Sequence, residues 1–149
     1  MPQTSTEAQP ADSMVITSKL LAEQRTALEQ LLFFNANQHR VRLGIEQSIA
    51  TYGVPEICSQ DGVLRIRVGD MAGVQNLFAV SSAGRLLGVA VFARLARERF
   101  VVLHLGVDSR GTPVLFKLMH EIRRTARRTR GVDRIELVYK DCHTMRLQG

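Results

Sequence analysis

Apolar residues recur at three- and four-residue steps early in this chain and at alternate positions in its middle. From about Thr17, the residues Leu20, Leu21, Ala27, Leu28, Leu31 and Leu32 form one stripe. That spacing predicts an amphipathic helix capped by Thr17 or Ser18. "FFNANQ" (33–38) interrupts it, because asparagine competes for backbone hydrogen bonds within a helix. Val41, Ile45 and Ile49 predict a second helix over about 38–52, stopped by Gly53 and Pro55 in "YGVP". Residues 1–13 are small, polar and proline-containing, which predicts a disordered tail and leaves 14–149 as a single domain.

The middle of the chain is strand-rich. "VLRIRV" (63–68) alternates apolar and basic residues, the mark of a half-buried strand. "QNLFAV" (75–80), "RLLGVAVFARL" (85–95) and "FVVLHLGV" (100–107) follow, separated by "SSAG" and "ARER". Turns this short predict an antiparallel meander. The strand over 100–107 is apolar on both faces and is expected to be central.

"DSRG" then breaks the strand. Thr112 is placed to cap a helix and Pro113 to occupy its first turn. Val114, Leu115, Leu118, Met119, Ile122 and Ala126 form its apolar face, Lys117, His120, Arg124, Arg127 and Arg128 the opposite one, and Gly131 ends it. "DRIELVY" (133–139) is a strand again. A strand–helix–strand unit of this kind predicts that 133–139 lies parallel to 100–107. Residues 140–149 are polar and without a readable pattern.

Composition sharpens this picture in one place. The chain has 149 residues and a formal net charge of +6. Seven basic residues and a single acid, Glu121, fall within 110–130, so the excess is local. A local positive face suits an anionic cofactor, an acidic partner or the solvated side of a helix. Nucleic acid is not expected, since no aromatic residues are interleaved for base stacking and no helix-turn-helix or RNA-binding motif is readable. Aromatic residues make up 5% with no tryptophan, so the core is expected to be aliphatic.

Cys58 and Cys142 have no zinc-ligand spacing, and the Cys142-His143 pair stands alone. A reduced, cytoplasmic compartment is the expectation, with no signal peptide and no membrane span.

The stretch "GRLLGVAVFARL…RFVVLHLGVDSRGTPVLFKLM…RGVDRIELVY" resembles the GNAT N-acetyltransferase superfamily over residues 63–139. The resemblance implies an α/β (α+β mixed-sheet) fold, with N-terminal helices, an antiparallel meander and a strand–helix–strand crossover. It implies acetyl-CoA or another acyl-CoA as cofactor. The pantetheine arm would bond to the backbone of Leu105 and Val107, and the pyrophosphate would lie at the helix entrance, against Arg110, Gly111, Thr112 and Val114. Pro113 and Leu115 stand where that family has its two turn glycines, and proline removes one backbone donor. The chain stops ten residues after Tyr139, without the further helix and strands usual in the family.

Transfer to an amine needs a base, and His104 and Glu98 are the candidates. A core histidine and a solvated turn carboxylate are the plainer readings of the same two residues. Glu136 reads as a salt-bridge residue, and His39, Arg40, Arg42, His120, Arg65 and Arg67 as surface positions. The second functional expectation is a non-catalytic GNAT-like module, acting as a homodimer through an exposed edge at 133–139 or binding an acidic partner through the helix 113–130.

Overall fold

A computed structural model describes residues 13–33, 49–108, 111–137 and 144–146. Residues 1–12, most of the second predicted helix, Arg110, Tyr139, Cys142 and His143 lie outside the described residues, as do His39, Arg40 and Arg42.

Three strands predicted as a meander form one. β5 (Val74–Ser81), β6 (Leu86–Ala96) and β7 (Arg99–Val107) pair antiparallel in sequence order. Helix α2 (Thr112–Arg128) follows, then β8 (Arg134–Leu137), which pairs parallel to β7. β1 (Met14–Thr17) lies on the far side of β5, and β9 (Thr144–Arg146) on the far side of β8. The six-stranded sheet therefore runs β1-β5-β6-β7-β8-β9, the mixed α/β arrangement expected from the sequence.

A smaller sheet has the order β2-β4-β3, from β2 (Leu20–Leu21), β3 (Pro55–Gln60) and β4 (Val63–Val68). The β3–β4 turn is Asp61-Gly62, both at positive φ (54° and 78°), the geometry that suits the twist of a two-residue hairpin. Asn76 of β5 joins the two sheets. Its Oδ1 accepts the Ile66 N–H at 2.9 Å and its Nδ2 donates to the Ile66 carbonyl at 3.2 Å, so one side chain completes the edge of β4.

The N-terminal helix is shorter than predicted. Met14–Thr17 is strand, and helix α1 spans Arg25–Phe33 after a 3-10 turn at Ala22–Gln24. Val15, Ile16 and Thr17 are β-branched and fit a pleated edge better than a helix. The Thr17 hydroxyl accepts the Lys19 N–H at 3.1 Å in a local turn instead of capping a helix. Further on, residues 49–52 are helical, and the Gly53 N–H closes on the Ile49 carbonyl.

The core has two parts, one on each face of the large sheet. One is built by Leu28, Leu31 and Leu32 of α1 with the small sheet and β6–β7 residues such as Val89, Val101 and Leu103. The other lies under α2, whose Val114, Leu118, Met119, Ile122 and Ala126 cover Phe92, Phe100, Val102 and Ile135. Burial of each large aliphatic side chain contributes about 1.5–3 kcal/mol. Residues 86–93 of β6 are all buried, as expected of a strand covered on both faces.

The edge at 133–139 is not exposed as anticipated, because β9 pairs with β8 over Arg134–Arg146, Ile135–Met145 and Glu136–Thr144. Glu136 is a salt-bridge residue, its Oε1 accepting from Arg99 Nη1 at 2.6 Å.

Candidate functional site

β7 carries the candidate site, and an irregularity in its ladder shapes it. Against β6 the register runs Gly88–Val107, Val89–Gly106, Ala90–Leu105 and Val91–His104, then resumes at Phe92–Val102. Leu103 is thus an extra residue, a β-bulge, which bends the strand that contains it. β8 pairs with β7 from Arg99–Arg134 to Val102–Leu137 and, among the described residues, no further. The bulge therefore sits one residue beyond the last described β7–β8 pair.

The orientation of the peptide groups beyond the bulge follows from the ladder. The Asp108 N–H donates to the Leu87 carbonyl at 2.9 Å. Bonded and non-bonded pairs alternate along an antiparallel ladder. Counted back from Asp108–Leu87, Gly106 and His104 bond to β6, whereas the peptide groups of Leu105 and Val107 point toward the β8 side. Their side chains pack under α2.

The strand leads into the N-terminus of α2. The sequence placed the cap at Thr112, but Gly111 occupies it, with φ 62° and ψ −107°, and Thr112 is the first helical residue. Among the described residues, no side chain caps this end. The Gly111 N–H is taken by the Asp108 carbonyl at 3.0 Å, which removes it from the anticipated anion donors. Pro113 has no N–H. Among the described residues, the first helical bond runs from the Leu115 N–H to the Gly111 carbonyl at 3.0 Å, and the Thr112 and Val114 N–H groups of the first turn have no partner. A Cβ built on Gly111 would meet nothing within 4 Å, so the space beside this turn is open.

His104 lies two residues before Gly106 and shares its face of β7. That face is the α1 side, since a Cβ on Gly106 would stand 2.6 Å from the Leu31 carbonyl oxygen. His104 is 3% exposed, and its Nε2 has no hydrogen-bond partner among the described residues. Burial lowers its pKa to about 4, so the imidazole is neutral at physiological pH.

Glu98 is not brought to this place. It occupies the β6–β7 turn, at the opposite end of β7, roughly 25 Å of extended strand from Val107. Arg134 Nη2 bonds its Oε2 at 3.2 Å, and its carbonyl accepts the Asp133 N–H at 2.8 Å. The structure thus groups His104, Leu105, Val107, Gly111, Thr112 and Val114 at one end of β7 and leaves Glu98 out. The Leu103 bulge had no sequence signal, because "VVLHLGV" is apolar apart from His104 and has no glycine at the bulge.

Fold and site together give a mixed sheet in which a bulged central strand feeds the N-terminus of α2. Among solved structures, nourseothricin acetyltransferase is similar at 20% identity and a TM-score of 0.49, the match covering 84% of this chain and 72% of that one. No protein-family model matches the chain, and no curated protein does.

Proposed function

We propose that this chain is an acyl-CoA-dependent N-acyltransferase. The observation that carries the reading is the continuous run of backbone groups at the C-terminal end of β7. The outward peptide group of Leu105 suits an amide of an extended pantetheine arm, and the Thr112 and Val114 N–H groups suit a pyrophosphate at the positive end of the helix dipole. These residues fit the cofactor with fewer donors than a glycine-rich turn would give. When bound, acyl-CoA supplies an activated thioester to an amine.

The chain's own residues orient and enclose. Leu105 sets the direction of an extended ligand along the strand edge. His104 presents a neutral, buried imidazole on the α1 face of the strand. Its depressed pKa makes it a weak base, and Glu98 is too distant to help. That pair of facts favours a second reading, a non-catalytic acyl-CoA-binding or partner-binding module of the same fold. Dimerisation through a sheet edge would then use β1 or β9 in place of β8.

A calorimetric titration of the chain with CoA and acetyl-CoA, followed by an assay of thiol release over a panel of amines, separates the readings. Binding with turnover supports the transferase, binding without turnover supports the module, and no binding by either ligand overturns both cofactor readings.

A further inference from the structure

At the other end of β7, far from the helix entrance, the β6–β7 hairpin and the segment leaving α2 enclose a shallow depression of about 540 Å³. It is lined by Arg94, Leu95, Ala96, Arg97 and Arg130. Arg94 is fixed in place. Its Nε and Nη2 donate to the Arg97 carbonyl at 3.1 and 2.6 Å, and Nη2 also reaches the Arg130 carbonyl at 2.8 Å. Those bonds leave Nη1 with both of its hydrogens. Arg97 lies beside it, for a Cβ on Gly131 would stand 3.3 Å from Arg94 Nη2 and 3.5 Å from Arg97 Nε.

The charges here are not balanced locally. Among the described residues, no hydrogen bond or ion pair engages the Arg97 or Arg130 side chain. The nearby acids are engaged elsewhere, since Arg134 holds Glu98 at 3.2 Å and Asp133 at 3.7 Å. Arg127 and Arg128, both exposed on the last turn of α2, add to the positive field. The carbonyls of Arg97 and Arg130 offset part of the Arg94 charge and nothing more. The Arg94, Arg97 and Arg130 side chains are exposed, so water screens part of their mutual repulsion, and an anion held between them would remove the rest.

We propose that this depression is an oxyanion site that takes the phosphate group of a small phosphorylated ligand. A carboxylate would neutralise one of the three guanidinium groups. A phosphate carries up to two charges and three acceptor oxygens, matching forked donors that converge from several sides. The site is independent of the proposed acyl-CoA cradle.

The test is a thermal-shift and calorimetric titration of the full chain with inorganic pyrophosphate and inorganic phosphate, against sodium chloride at equal ionic strength. Saturable stabilisation beyond chloride is expected, with affinity about tenfold weaker in R97Q and in R130Q and lost in the double variant. Stabilisation no greater than chloride gives, or one that survives in the double variant, overturns the proposal. Arginine-directed modification by phenylglyoxal, read by mass spectrometry on the unaltered chain, gives a second measurement. Pyrophosphate should slow modification of Arg97 and Arg130 relative to Arg65 and Arg67, and equal slowing at all four overturns the site.

Discussion

Gly88 of β6 lies against Val114 of α2 so closely that a Cβ added to the glycine would stand 2.6 Å from Val114 Cγ1 and 3.1 Å from Leu118 Cδ1. The helix rests on bare strand backbone at the turn where the candidate site begins. A valine on a helix has little rotamer freedom with which to yield. Gly88→Ala should therefore push the N-terminus of α2 off the sheet and lower stability by about 1–3 kcal/mol, read by urea denaturation. The same variant should weaken CoA binding.

Gly106→Ala should be worse. Its obstacle is the Leu31 carbonyl oxygen at 2.6 Å, a backbone atom that moves only if α1 moves. A loss of about 3 kcal/mol is expected, with a correspondingly lower melting temperature. A variant as stable as the parent would mean that α1 sits farther from β7 than described.

His104 should make stability depend on pH. Its folded pKa, about 4, lies below the ordinary 6.5, so between those values the unfolded chain binds more protons. The stabilising contribution is complete above pH 6.5 and is lost as pH falls toward 4. The chain should be about 2 kcal/mol less stable at pH 5 than at pH 7 through this residue. In H104Q that part of the difference should vanish, which denaturation at the two pH values will show.

Pro113→Ala restores an N–H to the first turn of α2, at a position where alanine keeps the helix. If anions dock at this end, CoA should bind several-fold tighter than to the parent chain, at a stability cost of about 0.4–1 kcal/mol from the freer unfolded chain. Unchanged affinity in a calorimetric titration would count against a pyrophosphate at the Thr112–Val114 donors.

The elements legible in the sequence were those whose own pattern decides them. β4 carries a clear two-residue period and α2 a 3.6-residue one, while β5 to β7 are apolar runs set off by short turns that paired them as neighbours. β3 was missed although Asp61-Gly62 is a strong hairpin signal, because "PEICSQ" has weak alternation. β2 was absorbed into the leucine stripe, and β1 just before it had no element assigned. β9 is three residues long and takes its strand form from pairing with β8, a tertiary cause with no local trace. At the site, the strand end was placed correctly and the helix start to within one residue, but the use of each N–H was not. The capture of the Gly111 amide by Asp108 depends on turn geometry that residue types alone leave open.

The Asn76 side chain makes the two sheets one unit in time as well as in space. The Ile66 amide proton is held by a single rotamer of a residue ten positions away, with no neighbouring strand behind that bond. Its exchange with solvent water therefore registers the parting of the sheets. If Ile66 exchanges as slowly as the amides at the middle of β6, the sheets open only when the whole domain does; if it exchanges faster, the small sheet has a life of its own.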